Sequence, residues 1–318
     1  MTVTGAAGFI GSAAARSFAA EGARVTGIDL APLPAALGEA GIEPARVDVT
    51  DREALAPALA GADLVVHAAA LVREHGAMAD FVRVNVGGTA AVLDAATAAG
   101  VTRAVHLSSV VVFGYEDPSE QGEGAFRRNC GIPYIDTKSA ADRLACRRGA
   151  VVVRPGDVYG PGSIPWTVRP LQLARSGRLA LPGAGSGTML PLYVDDLVEA
   201  ILLAAERGTA GTAYTAWEGV PVSFGEYFDA IAEIAGCRPA RRAPRALLEL
   251  AGAALEGWAR LRAQSPAFGA RSPTFVDRRG SVSIERIRSE LGWKPRVTLA
   301  EGLRRSADWA RAARLVGD

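Results

Sequence analysis

The chain has 318 residues, of which 49% are hydrophobic and 22% charged, and its formal net charge is +1. These values are typical of a globular protein with a sizeable core, and they exclude an intrinsically disordered chain. Arginine pairs are spread along the sequence and form no basic stripe, so nucleic acid is not an expected partner.

Cysteine, histidine and hydropathy patterns exclude further classes. The three cysteines are widely separated and odd in number, which predicts a reducing, cytoplasmic location and no disulfide framework. The three histidines lack metal-ligand spacing, so we expect no metal. No apolar run reaches ~18 residues and no signal peptide precedes Gly5, so no membrane partner is expected. The short first strand leaves open whether residues precede Met1.

Short apolar runs alternate with helical segments in the first half of the chain. This pattern predicts an α/β fold with a doubly wound parallel sheet. The predicted elements, in chain order, are strand 1–4, helix 13–20, strands 24–29 and 46–49, helix 55–60, strand 63–68, helix 81–99, strand 103–108, helix 133–147 and strand 151–154.

Proline and glycine become frequent after Pro155, and helices predominate further on. An apolar helix at 246–261 is interrupted by charged residues, so we expect a lid or core element. We therefore divide the chain at this point. Residues 1–154 are the predicted sheet domain, and 155–318 are mainly a smaller substrate-binding domain, with some segments returning to the sheet.

Three glycines, Gly5, Gly8 and Gly11, lie between the first strand and the first helix. This spacing permits a tight turn, close approach to a pyrophosphate and close helix–strand packing, with the helix N-terminus facing the anion. In a chain with 36 glycines about 0.4 such matches are expected by chance, so the motif depends on its position between strand and helix. It predicts a Rossmann-type dinucleotide site.

Asp29 ends the second predicted strand, where a carboxylate can accept hydrogen bonds from the adenosine ribose hydroxyls. Because that carboxylate would repel a 2′-phosphate, we expect NAD and not NADP; the alternative is a simple turn residue. Asp48 and Val49 are predicted to meet the adenine edge. An equal alternative is a helix N-cap for the segment that begins at Asp51.

Small residues, Ala68, Ala69 and Ala70, follow the fourth predicted strand and would let the backbone lie against a flat cofactor. A generic buried strand has the same composition. His67, next to them, is predicted to be a hydrogen-bonded structural histidine and not an acid or base.

Tyr134 and Lys138 are four residues apart on the predicted helix 133–147, so the phenol and the ammonium share one face. Lys138 and Lys294 are the only lysines, and a Tyr-x-x-x-Lys match is expected by chance about 0.04 times. An adjacent cation favours phenolate, so we expect the pKa of Tyr134 to fall towards neutrality. The alternative is an ordinary surface helix.

Further motifs accompany these residues in a fixed order: His67-Ala-Ala-Ala70, Asn85-Val-Gly-Gly-Thr89, Leu107-Ser108-Ser109, Arg154-Pro-Gly-Asp-Val-Tyr-Gly-Pro161, Leu192-Tyr-Val-Asp-Asp-Leu197 and Leu291-Gly-Trp-Lys-Pro295. With the glycine motif, Asp29 and the Tyr/Lys pair, they resemble the extended short-chain dehydrogenase/reductases, the NAD-dependent epimerase/dehydratase superfamily. The resemblance runs the length of the chain.

The resemblance implies a Ser-Tyr-Lys site. Tyr134 would exchange a proton with the substrate oxygen, Lys138 would hold the ribose and lower the phenol pKa, and Ser109 would orient the carbonyl, with Ser108 as the alternative serine. Asn85 would have a structural role or contact the cofactor. The implied NAD contacts are Gly5, Gly8, Phe9, Ile10, Gly11, Asp29, Asp48, Val49, Ala68, Ala69, Ala70, Asn85, Ser108, Tyr134, Lys138, Pro155, Gly156 and Val158. The candidate substrate contacts are Leu71, Arg73, Ser109, Val110, Tyr134 and Trp166, with Asp157 and Pro165 close by.

Two reactions stay open. Dehydratases of this superfamily have Thr-Asp-Glu where this chain has Ser109-Val110-Val111, which disfavours dehydration. Asp157 has the wrong charge for a substrate diphosphate if it points inward. The region 246–292 looks more like the hydroxysteroid-dehydrogenase and dihydroflavonol-reductase branch, and a partly apolar lid suits a less polar substrate. We favour oxidoreduction of a secondary alcohol or ketone, and the alternative is a nucleotide-sugar epimerase with tightly held NAD.

Two expectations concern partners. Arginines such as Arg169, Arg175, Arg178 and Arg278 could bind a diphosphate, although most are expected to be solvated. The helices around 81–99 and 133–147 commonly form the dimer interface in the family. Val82, Val86, Ala90 and Leu93 form an apolar stripe consistent with a homodimer, although burial within one subunit would explain it equally well. A non-catalytic NAD-binding regulator is disfavoured because both Tyr134 and Lys138 are present.

Overall fold

The computed structural model describes residues 1–73, 76–114, 120–125, 130–261, 269 and 272–317, with the backbone alone at 120–121 and 259–261. The strands are β1 (Thr2–Thr4), β2 (Thr26–Asp29), β3 (Glu43–Arg46), β4 (Leu64–His67), β5 (Arg103–Leu107), β6 (Glu120–Gln121), β7 (Val151–Pro155), β8 (Asp157–Tyr159), β9 (Ala180–Pro182), β10 (Thr188–Met189), β11 (Pro191–Tyr193), β12 (Ala213–Ala216), β13 (Val222–Ser223), β14 (Arg241–Ala243) and β15 (Ser281–Val282).

The α-helices are α1 (Phe9–Ala20), α2 (Ala35–Glu39), α3 (Arg52–Leu59), α4 (Met78–Phe81), α5 (Thr89–Ala98), α6 (Pro133–Arg147), α7 (Arg169–Arg175), α8 (Val194–Arg207), α9 (Phe224–Ile234), α10 (Arg245–Leu261), α11 (Ser272–Val276), α12 (Glu285–Leu291) and α13 (Leu299–Ala312). Two π-helical segments occur at Val82–Gly88 and Ile164–Val168, and a 3-10 turn at Val110–Phe113.

A seven-stranded sheet is the centre of the fold, in the order β12-β7-β5-β4-β1-β2-β3, with every neighbouring pair parallel. The predicted α/β doubly wound sheet is therefore confirmed. The strand order reverses between β1 and β4, so connections leave these two strands in opposite directions. A crevice forms at the carboxyl ends of such strands, and ligands of open α/β sheets bind there.

Helices cover both faces of this sheet. On one face α1 and α8 pack against each other and over the central strands, and Val3, Val66 and Val105 lie in the core they share. On the other face α3 and α5 enclose a second core that contains Leu55 and Val92, and Ala145 of α6 packs with Leu93 in a smaller cluster beside it. The strands in the middle of the sheet are buried on both faces, which accounts for their runs of valine.

The second half of the chain adds both to this sheet and to a separate layer. Strand β12 pairs with β7 at the sheet edge. Four two-stranded sheets pair β8 with β11, β9 with β14, β10 with β13 and β6 with β15. The larger hydrophobic core runs without interruption from Val3 through Phe224 to Trp293, so the two halves share buried apolar surface.

The first helix begins at Phe9 and not at residue 13, and two further predicted elements differ more from the structure. The third strand lies at Glu43–Arg46 and not at 46–49; it is an exposed edge strand containing Pro44, which has no hydrophobic pattern to reveal it. The single helix predicted at 81–99 begins earlier and consists of α4, a π-helical segment and α5. Within the π segment, Asn85 reaches sideways to two other elements, which a regular helix pattern does not show.

Candidate active site

The glycine turn after β1 has the conformation that its sequence predicts. Gly5 has a φ of +71°, and a Cβ atom there would lie 2.8 Å from the backbone nitrogen of Ala69. A Cβ atom on Gly11 would collide with the Gly5 carbonyl oxygen. Gly5 therefore provides the left-handed turn and the close approach to the end of β4, and Gly11 lets α1 pack tightly on the turn.

The N-terminus of α1 faces the crevice side of this turn. Gly8 is the N-cap, and Phe9 and Ile10 are the first helical residues, both half-buried. The first N–H groups of a helix have no partner within it, and the helix dipole favours an anion there. The residues present thus fit a dinucleotide pyrophosphate, in agreement with the sequence prediction.

Asp29 lies beside the glycine turn at the carboxyl end of β2. Its carboxylate accepts hydrogen bonds from the backbone nitrogens of Ala7 and Ala31, each at 3.0 Å. The side chain therefore stabilises the turn and presents a negative charge at the edge of the crevice. The contact of Asp29 with the ribose stays a prediction, and Asp29 lies at the end of β2, where such a contact requires a carboxylate.

Asp48 and Val49 follow β3 in a tight turn. The Asp48 carboxylate accepts from the backbone nitrogen of Thr50 at 2.9 Å and from its hydroxyl at 2.8 Å, and these bonds lower the pKa of Asp48. The N-cap of α3 is Asp51 itself, which accepts from the backbone nitrogens of Glu53 and Ala54. Asp48 is a turn residue and does not cap the helix, and its adenine contact stays a prediction.

His67 is enclosed at the end of β4. Its Nδ1 lies 2.7 Å from the Thr4 hydroxyl, and its Nε2 lies 3.1 Å from the Thr89 hydroxyl. Burial lowers the pKa of His67 to about 3, so the ring is neutral at physiological pH. These contacts agree with the structural role predicted for it. Ala68, Ala69 and Ala70 follow as half-buried residues beside the glycine turn.

Asn85 joins the loop after β4 to helix α6. Its side-chain oxygen accepts from the backbone nitrogen of Leu71 at 2.7 Å, and its amide nitrogen donates to the Leu71 carbonyl at 3.2 Å. The same nitrogen donates to the Thr137 hydroxyl at 3.1 Å. These three hydrogen bonds give Asn85 a structural role, and its contact with the cofactor stays a prediction.

Helix α6 carries the Tyr/Lys pair with the predicted bounds, 133–147. Pro133 occupies its first turn, where a missing N–H costs nothing. The Ser109 side chain is close enough to the Tyr134 phenol to lower its pKa, and its hydroxyl accepts from the backbone nitrogen of Val111 at 3.3 Å. The Lys138 ammonium donates to the Leu107 carbonyl at 2.6 Å. The end of β5 and one face of α6 therefore bring Ser109, Tyr134 and Lys138 together.

The pKa of Tyr134 is raised and does not fall as predicted. Burial raises the pKa of Tyr134 to about 12, and the hydrogen bond from Ser109 offsets this only in part. The Lys138 ammonium is directed to the Leu107 carbonyl, and burial lowers its own pKa to about 8. The expectation considered the neighbouring cation and left out desolvation, which is the larger effect here.

Ser108 is predicted both as a cofactor contact and as the alternative catalytic serine. The structure directs its hydroxyl away from Tyr134, and it donates to the Asp142 carboxylate at 2.6 Å. Alternation along the strand separates the two serines, since successive side chains point to opposite sides. Ser109 is thus the serine beside the phenol.

The segment after β7 approaches other backbone closely. A Cβ atom on Gly156 would collide with the Leu190 carbonyl oxygen, so glycine is required there for packing between strands. Pro155 and Val158 are buried on either side of it. Their contacts with the nicotinamide stay predictions.

The candidate substrate residues lie in different surroundings, and their common contact with a substrate stays a prediction. Leu71 is half-buried, Val110 is buried, and Arg73 lies 3.5 Å from Asp80 and over the ring of Phe81. Trp166 is 9% exposed and stacks within an aromatic cluster with Phe224, Tyr227, Phe228 and Phe275.

Asp157 and Arg278 form a buried ion pair that the sequence does not reveal. Arg278 donates to the Asp157 carboxylate and, at 2.9 Å, to the Thr188 carbonyl, while its guanidinium lies over two phenylalanine rings. Asp157 also accepts from the backbone nitrogen of Leu190 at 2.9 Å and is one of the groups that raise the pKa of Tyr134. The sequence offered Arg278 as one of four arginines that could bind a diphosphate, and the structure instead pairs it with Asp157: 121 positions of sequence separate the two partners, and only the fold joins them.

Metal ligands and membrane-spanning helices are the next features of the part of the chain that the structure describes. Among those residues no group of three or more His, Cys, Asp and Glu side chains is placed to hold a metal ion. In the same ranges, no helix combines the length and the apolar character needed to cross a membrane.

Comparisons with known proteins agree with this geometry. The model of the NAD dependent epimerase/dehydratase family matches residues 1–218. The chain belongs to this family. The protein is therefore an enzyme of an NAD-dependent family, as the motifs predict, and the glycine turn and Asp29 fit NAD as its cofactor.

Three similar proteins illustrate the range of the family. The 4-hydroxy-2-methyl-3-oxo-4-farnesyl-3,4-dihydroquinoline-1-oxide ketoreductase of Stigmatella aurantiaca is 30% identical over 317 residues, which cover 95% of this chain and 93% of that protein. A dTDP-glucose 4,6-dehydratase of Streptomyces griseus is 33% identical over 336 residues, covering 97% of this chain and 93% of that one. The solved structure of MoeE5 in complex with UDP-glucose and NAD has a TM-score of 0.79 and 27% identity, covering 98% of this chain and 99% of that chain.

Proposed function

We propose that the protein is an NAD-dependent oxidoreductase that interconverts a ketone and a secondary alcohol, with Ser109, Tyr134 and Lys138 as its catalytic residues. The observation that carries this proposal is the juxtaposition of Tyr134 and the buried Lys138 ammonium, one helical turn apart on α6, with Ser109 close enough to the phenol to lower its pKa, at the carboxyl edge of the sheet. Such an arrangement suits proton transfer to or from an oxygen beside a bound dinucleotide.

Each of these side chains has a defined part. NAD, when bound, supplies the hydride acceptor or donor. With its pKa raised to about 12, Tyr134 holds its proton at neutral pH and donates it to the carbonyl oxygen during reduction. The Ser109 hydroxyl positions the same oxygen without adding charge. Lys138, fixed on the Leu107 carbonyl, places a positive charge beside the phenol as the proton leaves.

The substrate that fits best carries no diphosphate. Arg278 could neutralise a phosphate only if it left Asp157, and both side chains are at least 94% buried. The similarity to a ketoreductase that acts on a farnesyl-bearing ketone supports an apolar ketone as the substrate class. The alternative is a nucleotide-sugar epimerase, which the structural similarity to MoeE5 with UDP-glucose and NAD supports.

Dehydration is disfavoured although a similar protein is a dTDP-glucose 4,6-dehydratase. The two residues after Ser109 are Val110 and Val111, which are buried at 5% and 4% exposure. Neither can act as an acid that expels water or as a base at the neighbouring carbon.

The cofactor of the purified enzyme tests the proposal. We expect NAD to exchange freely, and we expect one NADH to form for each secondary alcohol oxidised, followed by absorbance, with NADP much less effective because of Asp29. Alcohols and ketones of increasing chain length are compared with nucleotide sugars as substrates. Tightly retained NAD, with interconversion of nucleotide sugars and no net NADH, would instead establish the epimerase.

We also propose that the enzyme is a homodimer located in the cytoplasm. The location follows from the wide spacing of its three cysteines. For the dimer, Val82 is 46% exposed and Val86 and Ala90 are half-buried, so part of the stripe beside α6 is uncovered in one subunit. A dimer mass is expected in light scattering, and Val86→Glu is expected to shift it to a monomer. The control Val220→Glu, at a side chain 69% exposed elsewhere, should leave the dimer intact.

A further inference from the structure

Three consecutive residues at the end of β5 bind three positions of α6. The Leu107 carbonyl accepts from Lys138 at 2.6 Å, the Ser108 hydroxyl donates to Asp142 at 2.6 Å, and the Ser109 side chain is close enough to Tyr134 to lower the pKa of its phenol. Residues 134, 138 and 142 succeed one another at four-residue intervals on one face of the helix. The bond to Asp142 therefore helps to set the register in which the other two are made.

Asp142 is buried completely and saturated with donors. Its side chain is 0% exposed, and Arg154 donates to its two oxygens at 2.8 Å through Nε and a terminal nitrogen. With the Ser108 hydroxyl, these bonds satisfy the carboxylate as an anion. Arg154 is itself 2% exposed and also donates to the Glu123 carbonyl at 2.7 Å. The side chain of Asp142 thus has a single, well-defined position.

Asp142 is the negatively charged group that acts on Lys138 among the described residues, whereas the other titratable groups around the ammonium are neutral or positively charged. His67 on β4 and His106 on β5 are both buried, and their interaction with the Lys138 charge helps to lower their pKa values, so they are neutral. Tyr134 on α6 keeps its proton, and Arg154 on β7 is a cation held by Asp142. Burial lowers the pKa of Lys138, and Asp142 is the group that raises it.

We propose that Asp142, held by Ser108 and Arg154, is a positioning residue for the reaction: it fixes α6 against the end of β5 and supplies the negative charge that balances the Lys138 ammonium. This inference rests on the proposed function of Tyr134 and Lys138. It assigns two parts to one side chain, a geometric part through Ser108 and an electrostatic part through Lys138, and the two can be separated by mutation.

The electrostatic part can be measured without turnover. The chain has only two lysines, so a protein labelled with ¹³C at the lysine side chain gives two NMR signals, and Lys294→Arg removes the signal that is not from Lys138. Titration of the remaining signal is expected to give a pKa near 8 for Lys138. In Asp142→Asn this pKa should fall by about one unit or more, because an opposite charge has been removed.

The pH dependence of kcat/KM should change in the Asp142→Asn variant. Asp142 raises the pKa of Lys138, so without it the ammonium loses its proton at a lower pH. In the variant, activity that needs the ammonium should be lost as the pH rises through the lowered pKa of Lys138. The midpoint of the alkaline limb of the kcat/KM profile should therefore shift to lower pH by the same number of pH units. Asp142→Glu, which keeps the charge, should restore the limb. A residue with a merely structural role would reduce the amount of active enzyme and leave the limb in place.

Two further variants keep the inference testable if Asp142→Asn does not fold. Asp142→Asn combined with Arg154→Met removes both members of the buried pair, so no guanidinium remains there without its carboxylate, and it should still lower the pKa of Lys138. Ser108→Ala keeps the carboxylate and should leave that pKa unchanged, while kcat falls about tenfold at an unchanged KM for NAD.

Each part of the proposal for Asp142 has its own contradicting result. An unchanged Lys138 pKa in both Asp142 variants would overturn the electrostatic part, and wild-type kcat in Ser108→Ala would overturn the geometric part. A Tyr134→Phe enzyme that kept its activity would remove the proposed function, yet the titration of Lys138 would still report whether Asp142 controls its charge.

Discussion

Tyr134→Phe is expected to lower kcat about 10²- to 10⁴-fold while NAD still binds with its normal affinity. The phenol carries a proton at neutral pH, is close enough to Ser109 for that side chain to lower its pKa, and lies one helical turn from Lys138. Phenylalanine keeps the ring and its packing and removes only the oxygen. Steady-state kinetics and cofactor binding by calorimetry measure the two quantities separately.

Tyr193→Phe is the matched control for this experiment. Its ring is 3% exposed in the core and near Arg305, outside the candidate site, so the loss of its hydroxyl should change kcat little. Comparable losses in both variants would show that any buried tyrosine hydroxyl matters, and a fully active Tyr134→Phe enzyme would refute the mechanism.

Asp157→Asn is expected to destabilise the protein by about 3–5 kcal/mol, measured by urea unfolding. The reason is the buried Arg278 cation that remains. The same variant should gain affinity for pyrophosphate, because an anion can then neutralise Arg278. Pyrophosphate should therefore restore part of the stability of the variant and have little effect on the wild type.

Asp229→Asn is the matched control, because it removes one partner of a solvent-exposed ion pair. Arg242 and Asp229 lie 2.8 Å apart with 32% and 37% exposure, so solvent replaces most of what the mutation removes. A loss of about 0–1 kcal/mol is expected there. Two results would contradict the conclusion that Asp157 prevents Arg278 from binding phosphate. One is an equal loss of unfolding free energy in the two variants, and the other is stabilisation of the wild type by pyrophosphate.

Periodicity and motif spacing were sufficient for much of the fold. Helix 133–147 has the predicted bounds, and the glycine turn has the predicted conformation, because a proline at the first helical position and a left-handed glycine act through local sterics. The third strand and the π-helical segment were missed. The first lies at an exposed edge with no apolar alternation, and the second depends on contacts of Asn85 with distant residues.

The sequence by itself determined the parallel sheet, the dinucleotide turn and the face that Tyr134 and Lys138 share, since each depends on residues close together in the chain. Only the tertiary structure decided which serine meets the phenol, since that depends on where β5 ends against α6. It also decided that burial raises the pKa of Tyr134 and that Arg278 is paired with Asp157. Desolvation and long-range ion pairs are consequences of packing, and no local pattern encodes them.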